Sequence, residues 1–298
     1  MKDKGDRIAR RAAIVLLSLT TAFGPVARGA DLQQRTLEAF GHYVSLAEAR
    51  IDSELANPET FLWVERLSEN RRAAAYAELR DGHVVIERLE TFDQGKHISV
   101  PNGMIHHWIG TVFIPGVTLV QTLSLMEDYN HHQEYFRPDV MRSKVLRRNG
   151  DDFLVLLRLH KKKIITTIFD TEHEVHYAMV SQTRAWSRSR TTRIQQVDDA
   201  GQPSERLEPE GHDDGFLWRM NTYWRFEEKD GGTYVECQSI SLTRDIPTGL
   251  GWMIGPFVTS IPRESLTFTL ATTRAVLLQR IAKPTSRLGN QVDAVGGN

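Results

Sequence analysis

The sequence has 298 residues, of which 40% are hydrophobic and 25% charged, so it can bury the core of one large globular domain or of two small ones. Its 37 basic and 38 acidic side chains nearly cancel, which excludes a general electrostatic attraction to nucleic acid or to an anionic membrane surface. The single cysteine, Cys237, excludes an intramolecular disulfide and a thiolate-rich zinc site.

The first 29 residues have the pattern of a secretory signal peptide. Five lysine and arginine residues between positions 2 and 11 precede an apolar stretch over 12–26, and residues 27–29 place small side chains where a signal peptidase reads the chain. Polar residues, glycine and proline interrupt that stretch, which falls short of the about 18 residues of a spanning helix. We predict that residues 1–29 are removed from a bacterial protein that is periplasmic or secreted. An uncleaved membrane anchor is the alternative.

Residues 30–82 form a predicted N-terminal helical region. Apolar residues recur at three- and four-residue spacing from Leu37 to Leu55, and a second short helix is expected between Ser68 and Gly82.

After residue 82 the hydrophobic period changes from helical to two. A helix is predicted over 117–128 and a long polar loop over 198–214. Short polar connections favour an antiparallel meander. The segments predicted as strands are 83–90, 104–113, 140–148, 153–160, 164–180 and 183–197.

The clearest hairpin follows the polar loop. Asp230-Gly231 favours a two-residue turn that pairs Lys229 with Gly232. This register places Phe226 opposite Val235, Trp224 opposite Cys237, Thr222 opposite Ser239 and Met220 opposite Ser241. Trp218, Met220, Trp224 and Phe226 then share the inward face. On the other face the register sets Arg225 opposite Glu236, which we expect to be an exposed ion pair worth about 0.2–1 kcal/mol.

A long C-terminal helix is predicted over 264–281, after a break at Pro262. Its apolar residues are Leu266, Phe268, Leu270, Leu277 and Ile281. The aromatic face of the sheet is the only large surface that could bury them. The fold class is therefore α+β, with a curved antiparallel sheet wrapped around a long C-terminal α-helix and an added N-terminal helical region. A ligand-binding domain is assigned to 83–283 and a disordered tail to 284–298.

Two segments resemble the START-like, or SRPBCC, superfamily, whose helix-grip fold is shared by lipid-transfer and polyketide-cyclase proteins. They are MIHHWIGTVFIPGVTLVQTLSLMEDYNHHQEYFRPDVMRSKVLRR and WRFEEKDGGTYVECQSISLTRDIPTGL with the helix that follows, and the resemblance covers roughly Ile98 to Ile281. It implies that a hydrophobic, lipid-like small molecule occupies a cavity beneath the last helix, without a cofactor. The superfamily has no invariant catalytic set to transfer.

The hairpin over 164–197 supplies further candidate lining residues. A turn at Ser181-Gln182 would set Tyr177 opposite Trp186, Val175 opposite Arg188 and His173 opposite Arg190, on the face of Phe169. Arginines there could hold a ligand oxygen or anion. Alternatively the arginines lie outside, paired with Asp170, Glu172 and Glu174, and a one-residue slip in the turn decides between the two. The predicted ligand-binding residues are Phe169, His173, Tyr177, Trp186, Arg188, Arg190, Trp218, Met220, Trp224, Phe226 and Phe268.

The histidines do not predict a metal site. His106 and His107 are neighbours in a strand and point to opposite faces, and His173 and His176 diverge in the same way. The basic turn Lys161-Lys162-Lys163 leaves a transient membrane contact open, although three lysines contribute too little to anchor a protein.

Binding or carriage of a hydrophobic molecule is the first functional hypothesis. The alternative is a cyclase or aromatase-like enzyme that uses the same cavity, with His173, Tyr177, Tyr223 or Asp170 as the acid or base. A structural role as an envelope interaction module is the third. The sequence decides neither the ligand nor the oligomeric state.

Overall fold

An antiparallel sheet of nine strands forms the centre of the protein in the computed structural model. The structure describes residues 32–162, 166–214, 216–245 and 251–282, the last range with side chains from Ser260 onward. The predicted signal peptide (1–29) and tail (284–298) lie outside these residues.

The strands confirm the predicted antiparallel meander. In chain order they are β1 (Val85–Arg88), β2 (Phe92–Asp93), β3 (Lys96–His97), β4 (Gly103–Pro115), β5 (Val140–Asn149), β6 (Asp152–Lys162), β7 (Thr166–Met179), β8 (Arg184–Asp198), β9 (Arg206–Leu207), β10 (Arg219–Lys229) and β11 (Gly232–Arg244). The large sheet has the order β1-β4-β11-β10-β8-β7-β6-β5, with β9 added beside β8, while β2 and β3 form a separate hairpin. Strands β10 and β11 therefore lie near its middle.

Helices precede, interrupt and follow the sheet. They are α1 (Gln34–Leu55), α2 (Glu69–Arg80), α3 (Leu119–Met126), α4 (His132–Tyr135) and α5 (Gly251–Ala282), with 3-10 turns at Pro58–Thr60, Trp63–Arg66 and Tyr129–His131. Helix α3 begins at a capping box in which Thr118 accepts from the Gln121 N–H and Gln121 accepts from the Thr118 N–H. None of the helices that the structure describes is both long and apolar enough to cross a membrane.

Helix α5 differs from its predicted start. It begins at Gly251 rather than Glu264 and continues through Pro262. A proline inside a helix removes one backbone hydrogen bond, but packing of the helix against the sheet can outweigh that loss.

Helices cover both faces of the sheet. Helices α3 and α5 pack on the face that we call the inner face, where Leu266 and Leu270 join a core with Val112, Phe226 and Val235. Helix α5 approaches β4 closely at Gly110, where a Cβ atom would lie 2.7 Å from Leu270 Cδ1.

The N-terminal helical region covers the opposite face, which we call the outer face. There Phe40, Val44 and Ile51 of α1 pack against Tyr223 and Ile240 of the sheet. A second cluster places Phe61 and Leu79 against Ile109, Phe113 and Tyr234. The sheet thus packs against the apolar side chains of the N-terminal helical region as well as against those of the C-terminal helix.

The β10–β11 hairpin has the predicted register, with Trp224 opposite Cys237 and Arg225 opposite Glu236. The turn residues Asp230 and Gly231 have φ values of 56° and 75°, as a type I′ turn requires. The expectation of an exposed ion pair is wrong, however. Arg225 is 2% and Glu236 1% exposed, because the N-terminal helical region lies over this part of the outer face.

The β7–β8 hairpin is shifted by one residue from the predicted register. Tyr177 lies opposite Ser187 rather than Trp186, and His173 lies opposite Thr191 rather than Arg190. The connection is longer than a two-residue turn and is closed by the Val180 N–H, which donates to the Arg184 carbonyl at 2.8 Å. The shift moves every side chain of β8 to the face opposite the predicted one.

Candidate functional site

Seven of the predicted lining residues lie on the inner face or on the helix above it: Phe169, His173, Tyr177, Met220, Trp224, Phe226 and Phe268. The rings of Trp224 and Phe226 are stacked, with centroids 6.2 Å apart and an angle of 4° between their planes. Phe268 of α5 reaches the cluster that contains Met220. The alternation of inward and outward side chains along β10 and the apolar side of α5 thus bring Trp224, Phe226 and Phe268 to the same side of the sheet.

The other four predicted lining residues do not lie there. Trp186 stacks near His176 on the outer face, at 5.5 Å between centroids. Arg188 bonds to Asp52 at 2.6 Å, and Arg190 pairs with Glu174 at 3.3 Å. The register shift in the β7–β8 hairpin is the reason, and the alternative in which these arginines lie outside is confirmed, although Arg188 pairs with a partner on α1.

Trp218 lies among the outer-face residues instead of the inner ones. It packs with the α1 cluster, and its indole Nε1–H donates to Asp213 Oδ1 at 3.2 Å. Strand β10 begins at Arg219, so the alternation of inward and outward side chains along the strand does not extend to Trp218.

His173 is the most chemically defined polar group on the inner face. The Thr171 hydroxyl donates to the Leu157 carbonyl at 3.0 Å, so it has to accept from His173 Nε2–H, at 2.8 Å. His173 Nδ1 is then an acceptor and faces Ser189 Oγ at 3.4 Å. Burial lowers the pKa of His173 to about 4, so the ring is neutral at physiological pH.

Only two of the four candidate acid–base groups lie on this face. Tyr177 donates to the Met126 carbonyl at 3.2 Å and meets Tyr129 Oη at 2.8 Å, and burial raises its pKa well above the usual range. Tyr223 and Asp170 lie on the outer face, where they bond to Glu48 and Arg158. Of the four, His173 is the one whose unprotonated ring nitrogen accepts from a hydroxyl of the inner face.

Small hydroxyl side chains are the site feature that the sequence reading missed. Ser189, Thr222 and Ser239 are directly opposite one another on β8, β10 and β11, and Ser241 follows on β11. Alternation of small polar residues along β11 was the available signal.

The middle of the inner face keeps accessible surface although helices cover both sides of the sheet. Trp108, Met220, Thr222, Trp224 and Ser239 are all partly exposed, whereas their neighbours Phe226 and Val235 are fully buried. Side chains in a solid core have no such surface, because protein interiors are close-packed. The accessible residues are therefore packed less tightly than the rest of the inner face.

Among the residues that the structure describes, no three histidine, cysteine, aspartate or glutamate side chains are close enough to hold a metal ion. The two histidines of the β4 pair diverge as their spacing predicts. His106 meets Thr243 Oγ1 at 3.1 Å, while His107 meets Tyr43 Oη at 2.8 Å on the outer face.

Comparison with known proteins gives similarity in structure only. No protein-family model matches the sequence, and no curated protein matches it. One similar solved structure is the ZhuI aromatase/cyclase of Streptomyces sp. R1128, with 11% identity, a TM-score of 0.42, and coverage of 60% of this chain and 96% of that one.

Two further similar structures are a lipid-transfer protein and a START superfamily protein. A STAR-related lipid transfer protein of Xanthomonas axonopodis has 15% identity and a TM-score of 0.41, and covers 65% of this chain and 99% of its own. A START superfamily protein of Mycobacterium smegmatis has 12% identity and a TM-score of 0.38, with 67% and 99% covered.

Proposed function

We propose that this protein binds and carries a hydrophobic small molecule between the inner face of its sheet and helix α5. The accessible surface of Trp224 and its neighbours at the centre of a sheet that helices cover on both sides is the observation that supports this function. A pocket of this kind combines an apolar wall with a few polar groups that orient the ligand. Trp108, Met220, Trp224 and Phe268 form the apolar wall.

Two tryptophans on opposite sides of the same strand region test the proposal. Trp224→Ala should lower the free energy of unfolding by only about 1–3 kcal/mol, because Trp224 borders a space, and should abolish most binding of a fluorescent apolar probe. Trp218→Ala removes a side chain that is 2% exposed and should cost about 3–5 kcal/mol.

The matched control is Trp218→Phe, which keeps most of the packing and should leave probe affinity unchanged. Urea denaturation and probe titration give the two quantities. A stability loss of about 3–5 kcal/mol for Trp224→Ala together with unchanged probe binding would mean that the aromatic residues of the inner face are ordinary core. The carrier function would then have to be abandoned.

A cyclase or aromatase-like enzyme is the second candidate, and His173 is the group that favours it, since its Nδ1 lone pair faces Ser189. With a pKa of about 4 this imidazole is a weak base near neutral pH, which favours binding over proton transfer. Solvent extraction of protein purified from its own host tests the choice. Mass spectrometry should find a co-purified lipid-like molecule that the protein releases chemically unchanged.

Export from the cytoplasm is part of the proposal and is supported by the basic and apolar pattern of residues 1–29. The mass of protein recovered from the periplasm or medium should place its first residue near Ala30. Recovery of soluble cytoplasmic protein that retains Met1 would contradict export.

A further inference from the structure

A row of hydroxyl groups crosses the inner face beneath α5. Ser189, Thr222 and Ser239 are cross-strand neighbours in register, so their Cβ atoms are about 5 Å apart. We call these three residues the hydroxyl row. His173 extends it at one end, because its Nδ1 atom faces Ser189 Oγ.

Most of these hydroxyl groups have no partner in the protein. Thr222, Ser239 and the adjacent Ser241 make no hydrogen bond within the described part of the chain, and Thr222 and Ser239 keep accessible surface. Polar groups enclosed in a protein are nearly always hydrogen-bonded, so these oxygens require polar atoms from outside the chain. Water or a ligand has to supply them.

Formal charge is absent around the hydroxyl row. The neighbours of the row on the described strands are Ser187, Thr191, Met220, Trp224, Cys237, Ser241 and Trp108. None of these is charged. The sheet-facing residues Leu266, Leu270 and Thr273 of α5 are uncharged as well.

Charged side chains that share the inner face lie at its rim. Arg88 is exposed on the edge strand β1, Glu228 accepts from the Leu119 N–H at the start of α3, and Lys161 at the end of β6 pairs with Asp139. Each is hydrated or already partnered. Among the side chains that the structure describes, no cation is therefore available at the row to neutralise a carboxylate or phosphate, and burying an uncompensated charge is costly.

We infer that the hydroxyl row recognises the neutral oxygen functions of an apolar ligand, such as hydroxyl, ketone or ester groups, and selects against anionic amphiphiles. The inference rests on the proposed function and deepens it by naming the ligand class. Serine and threonine hydroxyls donate and accept, so they serve either kind of neutral oxygen, while His173 Nδ1 accepts from the Ser189 hydroxyl. A neutral His173, with its pKa of about 4, adds no positive charge.

Competition between ligands of equal chain length tests the inference. A fluorescent polyene hydrocarbon is bound at pH 8, and a long-chain alcohol, its methyl ester analogue and the corresponding carboxylate are used to displace it. The alcohol and the ester should displace the probe at concentrations at least about tenfold lower than the carboxylate.

Substitutions in the hydroxyl row test whether its hydroxyl groups cause the preference for neutral ligands. Thr222→Val combined with Ser239→Ala should weaken binding of the alcohol about tenfold and leave the affinity for the hydrocarbon probe unchanged. Ser239→Ala alone is the milder variant if the double variant does not fold. Thr192→Val is the matched control, since Thr192 is exposed on the outer face of β8.

Equal displacement by alcohol and carboxylate, or an unchanged alcohol affinity in the folded variant, would overturn the inference while the proposed function stands. Failure of the wild-type protein to bind even the hydrocarbon probe would overturn the proposed function and the inference with it.

Discussion

The contribution of Glu236 to stability depends on the elements that cover its carboxylate. Its carboxylate bonds to Arg225 at 3.0 Å, accepts from the Trp63 N–H at 2.6 Å and accepts from the Thr111 hydroxyl at 3.2 Å. Arg225 in turn reaches Glu54 at 2.6 Å. Burial raises the pKa of Glu236, an effect that Arg225 opposes. The group belongs to a dehydrated network rather than to a surface pair.

Substitution of Glu236 should therefore be severe. Glu236→Ala removes one of the two carboxylates that Arg225 meets, leaves the buried Trp63 N–H without its acceptor, and should lower the free energy of unfolding by about 3–5 kcal/mol. Glu174→Ala is the control, because it breaks an exposed pair with Arg190 and should cost less than about 1 kcal/mol. Chemical denaturation of both variants gives the comparison, and equal small losses would contradict the buried network.

At the scale of elements, two glycine substitutions should have opposite signs. Gly231 has a φ of 75° in the β10–β11 turn, so Gly231→Ala should destabilise the protein by about 1–2 kcal/mol. Gly41 lies inside α1, and a Cβ atom there meets nothing within 4 Å, so Gly41→Ala should stabilise the protein by about 0.5–1 kcal/mol. Thermal unfolding measures both, and shifts of the same sign would be inconsistent with these backbone conformations.

The two hairpins explain which parts of the fold could be predicted from the sequence. Asp230-Gly231 admits one two-residue turn, so the register of β10 and β11 followed from it together with the Arg225–Glu236 pair. The segment between Met179 and Arg184 has no such signal, and an error of one residue there transferred Arg188 and Arg190 to the wrong face. Candidate residues on β10 were accordingly more reliable than those on β8.

The covering of the outer face could not be predicted in the same way. Periodicity indicates that α1 buries one stripe, but it does not say which surface receives that stripe. Tyr223 and Ile240 are the receiving residues, and they are far from α1 in the chain. The hydroxyl row could not be predicted for the same reason. A serine opposite a tryptophan is compatible both with a densely packed core and with the wall of a ligand site.

Stability of the whole molecule should fall in acid because of its buried histidines. Burial lowers the pKa of His106, His132 and His173 to about 4 and that of His107 to about 3. These folded values lie below the unfolded value of about 6.5, so their contribution is full above pH 6.5 and is lost as the pH falls towards 4.

At pH 5 each such histidine should reduce the free energy of unfolding by about 2 kcal/mol relative to pH 7.5. His132→Phe tests one of them, because His132 contacts the rings of Tyr129 and Phe136 and a phenyl group can occupy the same space. Urea denaturation at both pH values should give a smaller difference for the variant than for the wild-type protein. An unchanged difference would contradict a neutral buried His132.

The partners of α1 lie at the far end of the chain. Glu54 meets Arg225 and Glu48 meets Tyr223, pairs separated by 171 and 175 positions. During synthesis the side chains of α1 that pack against Tyr223 and Ile240 therefore remain uncovered until about three quarters of the polypeptide has been made. Until then these side chains of α1 are exposed to solvent and to chaperones.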